Sequence, residues 1–217
     1  MRAIVQAVGP RTKTSPRRAP SQKRAEDTVG FLLDATEIVL AREGFASATT
    51  NRIAEAAGVS IGTLYHYFPS KEALIEAVVH RMWARELSAV EAHAEALFEG
   101  PLEDAVRAIV RALVSVMVAR VGLYRRWYAE ASHLGQLGHG LSMSEKAIDV
   151  LTRALEQRRG ELRPLPDVRF AADLVVKTAL AVVRTGARDY EAEAKSGLLA
   201  EELTQMLVRY LRADAGR

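Results

Sequence analysis

The 217-residue sequence predicts an all-α fold. Alanine and the aliphatic residues dominate and aromatic residues make up only 6%, a mix that suits packed helices because Ala and Leu are strong helix formers. Apolar residues recur at three- and four-residue spacings, the period that lines one face of a helix. Hydroxyl caps, glycines and prolines fall at the ends of those stretches, and no convincing strand or internal repeat interrupts them.

Leu32, Leu33, Thr36, Val39 and Leu40 recur at helical spacing, and Gly44 follows where a left-handed C-terminal glycine is wanted. Phe45 is then placed to close back on Leu40. Thr49 or Thr50 offers an N-cap for a short helix, NRIAEAA, that stops at Gly58. Ser60 starts a third helix, which must end before Pro69. Ser70 caps a fourth helix extending toward Phe98, and Gly100-Pro101 breaks it. Beyond the break, Leu102, Val106, Ile109, Val110, Leu113 and Met117 form one amphipathic face. A short aromatic helix over 124–134 leads into a glycine-rich connector at 135–140, and Met143, Ala147, Val150, Leu151 and Ala154 mark a helix ending near Gly160.

Pro164 and Pro166 stiffen the next connector, with Asp167 placed to cap a helix over 167–190. That helix gathers Asp173, Lys177, Arg184 and Arg188 near one stripe and is apolar around most of the remainder, so it needs burial on more than one side. Leu199, Leu203, Met206, Leu207 and Tyr210 give the final helix its own face. The pair reads either as the centre of its own domain or as a homodimer seam of Val175, Ala179, Val182, Val183, Leu203, Met206, Leu207 and Tyr210.

Composition removes several classes of function. With no cysteine there is no disulfide, thiolate zinc site or cysteine nucleophile. No run approaches the ~18 apolar residues that span a bilayer, and the basic N-terminus lacks an apolar signal region, so the expectation is a cytoplasmic protein with no membrane partner. Net charge is +3, yet residues 1–27 carry seven basic residues against two acidic ones, leaving the remainder acidic. Residues 1–24 read as a disordered basic tail, either a solubilising extension or an arm that reaches nucleic acid.

Gly58-Val59-Ser60-Ile61-Gly62 spells G-x-S-x-G, the nucleophile elbow of a serine hydrolase. An elbow needs a strand before the serine, and here an alanine-rich helix precedes it. Ser60 is better read as an N-cap bonded by the amide of Gly62 or Thr63. Two short helices with a glycine at the joint describe a helix-turn-helix. Leu64 and Phe68 would anchor the second helix, IGTLYHYF, leaving Ile61, Gly62, Thr63, His66 and Tyr67 outward. Gly62 costs a helix ~1 kcal/mol relative to alanine, which makes sense where backbone must approach another surface closely. Thr63 can meet a base edge or thymine methyl and His66 a guanine acceptor, while Tyr65, Tyr67 and Lys71 suit phosphates.

The run from Thr49-Thr50-Asn51-Arg52 through Gly62-Thr63-Leu64-Tyr65-His66-Tyr67-Phe68-Pro69-Ser70-Lys71 closely resembles the N-terminal domain of TetR-type repressors, over residues 28–78. The resemblance implies that Thr50, Tyr65, Tyr67 and Lys71 hold phosphates and that Ile61, Gly62, Thr63 and His66, on the helix begun by Ser60, face the bases. Ile61 lies where many relatives carry a polar or basic residue. The resemblance also implies a DNA-binding domain over 25–72, with a helical ligand-binding and dimerisation domain over 73–217 that tilts the long fourth helix. Residues 28–80 hold three basic residues against six acidic ones, so few cations are available for DNA and the basic tail could make up the shortfall.

In the larger domain Tyr124, Trp127 and Tyr128 share a helical face, with His133 beyond and Met82, Trp83 and Met117 on neighbouring helices. These residues are either core or the lining of a small-molecule pocket, and the family layout favours the pocket. Gly135, Gly138 and Gly140 follow no strand and make no phosphate loop, and His133 and His139 lack a carboxylate partner, so no cofactor or metal is expected. The expected protein is a non-enzymatic, homodimeric, ligand-responsive transcriptional repressor. It would bind a double-stranded, pseudo-palindromic DNA operator and release it on binding a largely apolar effector. A dimeric small-molecule carrier with little DNA affinity and a Ser60 hydrolase are the rival readings.

Overall fold

Ten α-helices follow one another along residues 20–130 and 139–212, the residues described by the computed structural model. They are α1 (Pro20–Ser47), α2 (Thr50–Ala57), α3 (Ile61–Tyr67), α4 (Lys71–Glu91), α5 (Leu102–Val118), α6 (Val121–Glu130), α7 (His139–Gln157), α8 (Val168–Asp189), α9 (Glu191–Ser196) and α10 (Leu198–Leu211). Among the described residues there is no strand, only one antiparallel bridge between Leu162 and Arg212. None of their helices is long and apolar enough to cross a membrane. Residues 1–19 of the expected tail, His133 and most of the glycine connector lie outside the described residues.

α1 begins at Pro20, five residues before the expected domain start at 25. Proline is well suited to a first helical turn, where its missing N–H would have had no helical partner. Gly44, at φ 83° and ψ 172°, breaks α1 where the sequence placed its end. The ending is not the local closure expected of Phe45. Its amide donates to the Glu130 carboxylate of α6 at 2.7 Å, and its ring meets Trp127 edge-on at 5.4 Å. The positive φ favours glycine here, and a Cβ on Gly44 would also push aside the Glu130 carboxylate that receives the Phe45 amide.

Thr49, Ser60, Ser70 and Asp167 cap α2, α3, α4 and α8 through their side chains. α4 stops at Glu91, well short of Phe98, and a 3-10 turn over Glu95–Leu97 follows. The turn drops Leu97 into the core. Arg158, itself buried, holds it there by donating to the carbonyls of Leu97 at 2.8 Å and Gly100 at 2.7 Å. The final connection also differs from the expected one, since α9 intervenes between α8 and α10.

One hydrophobic core runs from Leu32 and Leu40 in α1 through Leu74, Val78 and Met82 in α4 to α5, α8 and α10. α4 therefore belongs to both ends of the molecule. A charged cluster reinforces the junction, because Glu37 of α1 accepts from Arg81 (2.8 Å) and Arg85 (2.6 Å) of α4 and from Arg120 (3.2 Å) after α5.

Candidate nucleic-acid interface and internal cavity

α2 and α3 form a helix-turn-helix around Gly58, whose φ of 67° closes α2. Leu64 is fully buried and pins α3, while Ile61, Gly62, Tyr65 and His66 are exposed and Thr63 is half-buried. The Ser60 hydroxyl accepts the Thr63 amide at 3.0 Å and exchanges a second bond with the Thr63 hydroxyl at 2.8 Å. With helix α2 in front of Gly58 and Ser60 engaged in capping, the strand-to-helix geometry of an elbow does not exist here.

The expected phosphate partners fall into two groups. Thr50 at the start of α2 and Tyr65 on α3 are brought together, their hydroxyls 3.1 Å apart. Tyr67 is half-buried, packs against the core and meets His66 edge-on at 5.0 Å. Lys71 is not a free cation: its ammonium donates to the carbonyl of Phe45 at 2.7 Å and that of Ala46 at 3.4 Å. Arg52 is paired with Glu43 at 2.6 Å, and the side-chain bond to Glu43 raises its pKa. The scarcity of cations foreseen from the sequence is sharpened by these ties.

In the larger domain an apolar cavity of about 70 Å³ lies between α4, α5, α7 and α8, with Leu207 of α10 on its wall. Ile109, Leu113, Val176 and Leu180 are among its lining residues. Of the residues expected to line a pocket, Met82, Trp83, Met117, Tyr124, Trp127 and Tyr128, none is on the wall of this cavity. Met82, Met117, Tyr124 and Trp127 are buried in the core instead. Trp83 borders a smaller void of about 20 Å³ that shares Val90, Ala147 and Leu180 with the cavity.

At that void stands a polar cluster that joins Arg184 and the expected pocket residue Tyr124 to Glu86, a residue the sequence did not single out. Glu86 of α4 is 5% exposed, accepts from the Tyr124 hydroxyl at 2.9 Å, and forms a two-pronged pair with Arg184 of α8. Burial pushes the Tyr124 hydroxyl far above its ordinary range, with the Glu86 charge adding to the effect. Burial raises Tyr128 too, against the opposing charge of Arg184. The available signal was weak: a Glu that directly follows Arg85 in α4, and an Arg on a polar stripe 98 residues away.

The proposed dimer residues also divide. Val175, Ala179, Val183, Leu203 and Leu207 are buried within the chain's own core, and Val175, Ala179 and Leu207 line the cavity. Val182 and Tyr210 are half-buried and Met206 is exposed. The large apolar groups left outward on this helix pair are Phe170 and Leu174 of α8 and Leu198 and Met206 of α10.

Two family models match the chain, "Bacterial regulatory proteins, tetR family" over residues 32–78 and "Tetracyclin repressor-like, C-terminal domain" over residues 101–211. The HTH-type transcriptional regulator UidR of Escherichia coli K12 is 29% identical over 203 residues, covering 89% of this chain and 97% of UidR. The structure of Salmonella enterica GusR is similar at 29% identity and a TM-score of 0.63, over 85% of this chain and 95% of GusR. The fatty acid degradation regulator FadR of Bacillus halodurans shares the fold, with 19% identity and a TM-score of 0.68 over 89% of this chain and 97% of FadR. The second family model spans half of the chain and the first covers the helix-turn-helix, so this protein belongs to the tetR family of bacterial transcriptional regulators.

Proposed function

We propose that the protein works as a homodimeric repressor, with two copies of α3 entering successive major grooves of a pseudo-palindromic operator. The observation that carries this reading is the exposed face of α3, where Ile61, Gly62 and His66 lie outward beside Thr63. Ile61 offers apolar contact to thymine methyls, while Thr63 and His66 offer hydrogen bonds to base edges. Thr50 and Tyr65 flank that face with hydroxyls suited to phosphate oxygens. The basic tail supplies cations that the helix-turn-helix lacks, so removal of residues 1–22 lowers affinity and flattens its salt dependence.

The effector enters the apolar cavity between α4, α5, α7 and α8. Widening that cavity displaces α4, which carries the helix-turn-helix at its other end. Release of DNA requires that the effector bind the displaced form better, and reversing a 1:99 population to 99:1 takes about 5.5 kcal/mol of differential affinity.

Selection of bound DNA from a random pool tests the reading. Two inverted half-sites, centred about one helical turn (~34–36 Å) apart or a multiple of it, are expected. Thr63→Ala and His66→Ala should change the selected bases. Failure to enrich any sequence at low ionic strength, or recovery of unpaired single half-sites, overturns the proposal.

A further inference from the structure

Two charges of opposite sign line the small void beside the apolar cavity, which shares Val90, Ala147 and Leu180 with it, and they restrict what the two spaces together can hold. Glu86 is already engaged: Arg184 Nε is shared between its two oxygens, Nη2 donates to Oε2, and the Tyr124 hydroxyl donates to Oε1. A cationic head would have to compete with Arg184 for those oxygens. Arg184 is different. A guanidinium has five N–H donors in a fixed plane. Glu86 engages Nε and Nη2, and among the described residues Nη1 pairs with no carboxylate. Spare hydrogen-bonding capacity at the void is therefore donor capacity. The net charge is nonetheless cancelled. An anionic head would be desolvated beside a neutral pair and would also feel Glu86, a costly placement for an ion in an apolar interior.

We infer that the effector is an elongated apolar molecule bearing one uncharged hydrogen-bond acceptor at its end, a ketone, ester or lactone carbonyl, which Arg184 receives while the tail fills the cavity beside Ile109, Leu113 and Val176. The inference takes the cavity as the effector site, as proposed above. Glu86 then acts as the specificity device: it cancels the guanidinium charge while leaving part of its donor fork available. A hydrogen bond from a charged donor to a neutral carbonyl is still strengthened by that charge.

Three probes with one eight-carbon chain separate the alternatives: 2-octanone, octanoate and octylamine, measured by calorimetry and thermal shift on the full-length protein. The ketone should bind at least tenfold more tightly than either ion. In Glu86→Gln the guanidinium charge is no longer cancelled, so octanoate should gain at least tenfold relative to 2-octanone. Tighter binding of an ion by the wild type, or an unchanged order in Glu86→Gln, overturns the inference. Should Glu86→Gln not fold, the neutral pair Glu86→Gln/Arg184→Gln serves instead and should bind octanoate no better than the wild type does; improved octanoate binding there overturns the inference as well. Ala147→Leu, which narrows the cavity and its neighbouring void, distinguishes the two levels of failure. If it abolishes binding while the head-group order is wrong, the cavity reading stands and only the head group falls. If it leaves binding untouched, or if no probe binds the wild type, both fall together.

Discussion

Side chains whose partners are near in sequence were legible before the fold was known. Ser60, Ser70 and Asp167 each bond an amide three residues on, so a hydroxyl or carboxylate before an apolar run is enough to place them. Lys71 was not legible in this way, because the carbonyls it holds lie 25 and 26 residues earlier at the end of α1. Its placement next to a helix start suggested a phosphate contact; the fold gives it a second role. Bonds to charged groups contribute about 1.5–3 kcal/mol. Lys71→Ala should therefore lower the midpoint of thermal unfolding as well as reduce the salt slope of DNA binding by about one. A normal unfolding midpoint would remove the carbonyl tie from this account. Tyr124 and Tyr128 permit a test by pH. Burial raises both hydroxyls, so the uncharged forms favoured in the fold contribute stability that is fully present below the unfolded tyrosine pKa of about 10 and is lost as pH rises further. Phenolate absorbance, compared between wild type and Tyr124→Phe/Tyr128→Phe, should show these two ionising only as helical circular dichroism is lost. Their ionisation in the still-folded protein at pH 10 would contradict that assignment of burial.

Helices as elements were readable wherever periodicity and punctuation agreed, and misjudged where a distant group set the boundary. α4 ends early because Leu97 is drawn into the core and Arg158 secures the turn, neither of which periodicity can show. α1 ends at Gly44 as read, but what holds that end is α6, through Glu130 and Trp127. α6 also carries Tyr124, whose hydroxyl reaches Glu86 at the void. One short helix thus touches both that polar cluster and the last turn of α1, whose carbonyls hold Lys71. Within α3 the useful residue is Gly62. A Cβ there would meet only the Ser60 hydroxyl oxygen, at an ordinary 3.7 Å, so alanine fits the fold. Alanine is also the better helix former by about 1 kcal/mol. Gly62→Ala should raise the unfolding midpoint while weakening operator binding at least tenfold. That pairing of opposite effects identifies a glycine kept for close approach to DNA; unchanged DNA affinity would leave Gly62 without that role.

At the scale of the whole molecule, an apolar stripe in the sequence says that a face must be covered but not by what. Val175, Ala179, Val183, Leu203 and Leu207 satisfied the pattern of a seam, yet the chain covers them itself, and three of them wall the cavity. The cavity was invisible to pattern for a related reason, since a void is the difference between packed surfaces and not a property of any one helix. What remains uncovered is narrower: Phe170 at 62% exposure, Leu198 at 52%, Met206 at 48% and Leu174 at 41%. On this helix pair these are the large apolar groups left to solvent, and exposed apolar surface of that kind marks an interaction site when it is contiguous. If α8 and α10 meet their copies in a dimer, these four residues are the contact, and the buried five act only by shaping the helices that present them. Leu174→Glu and Met206→Glu together should then yield a folded monomer, with helical circular dichroism retained and mass halved in light scattering. Binding to a two-half-site operator should fall at least a hundredfold, because each α3 would act alone and lose the effective concentration its twin provides. A dimer that survives both substitutions would place the seam elsewhere.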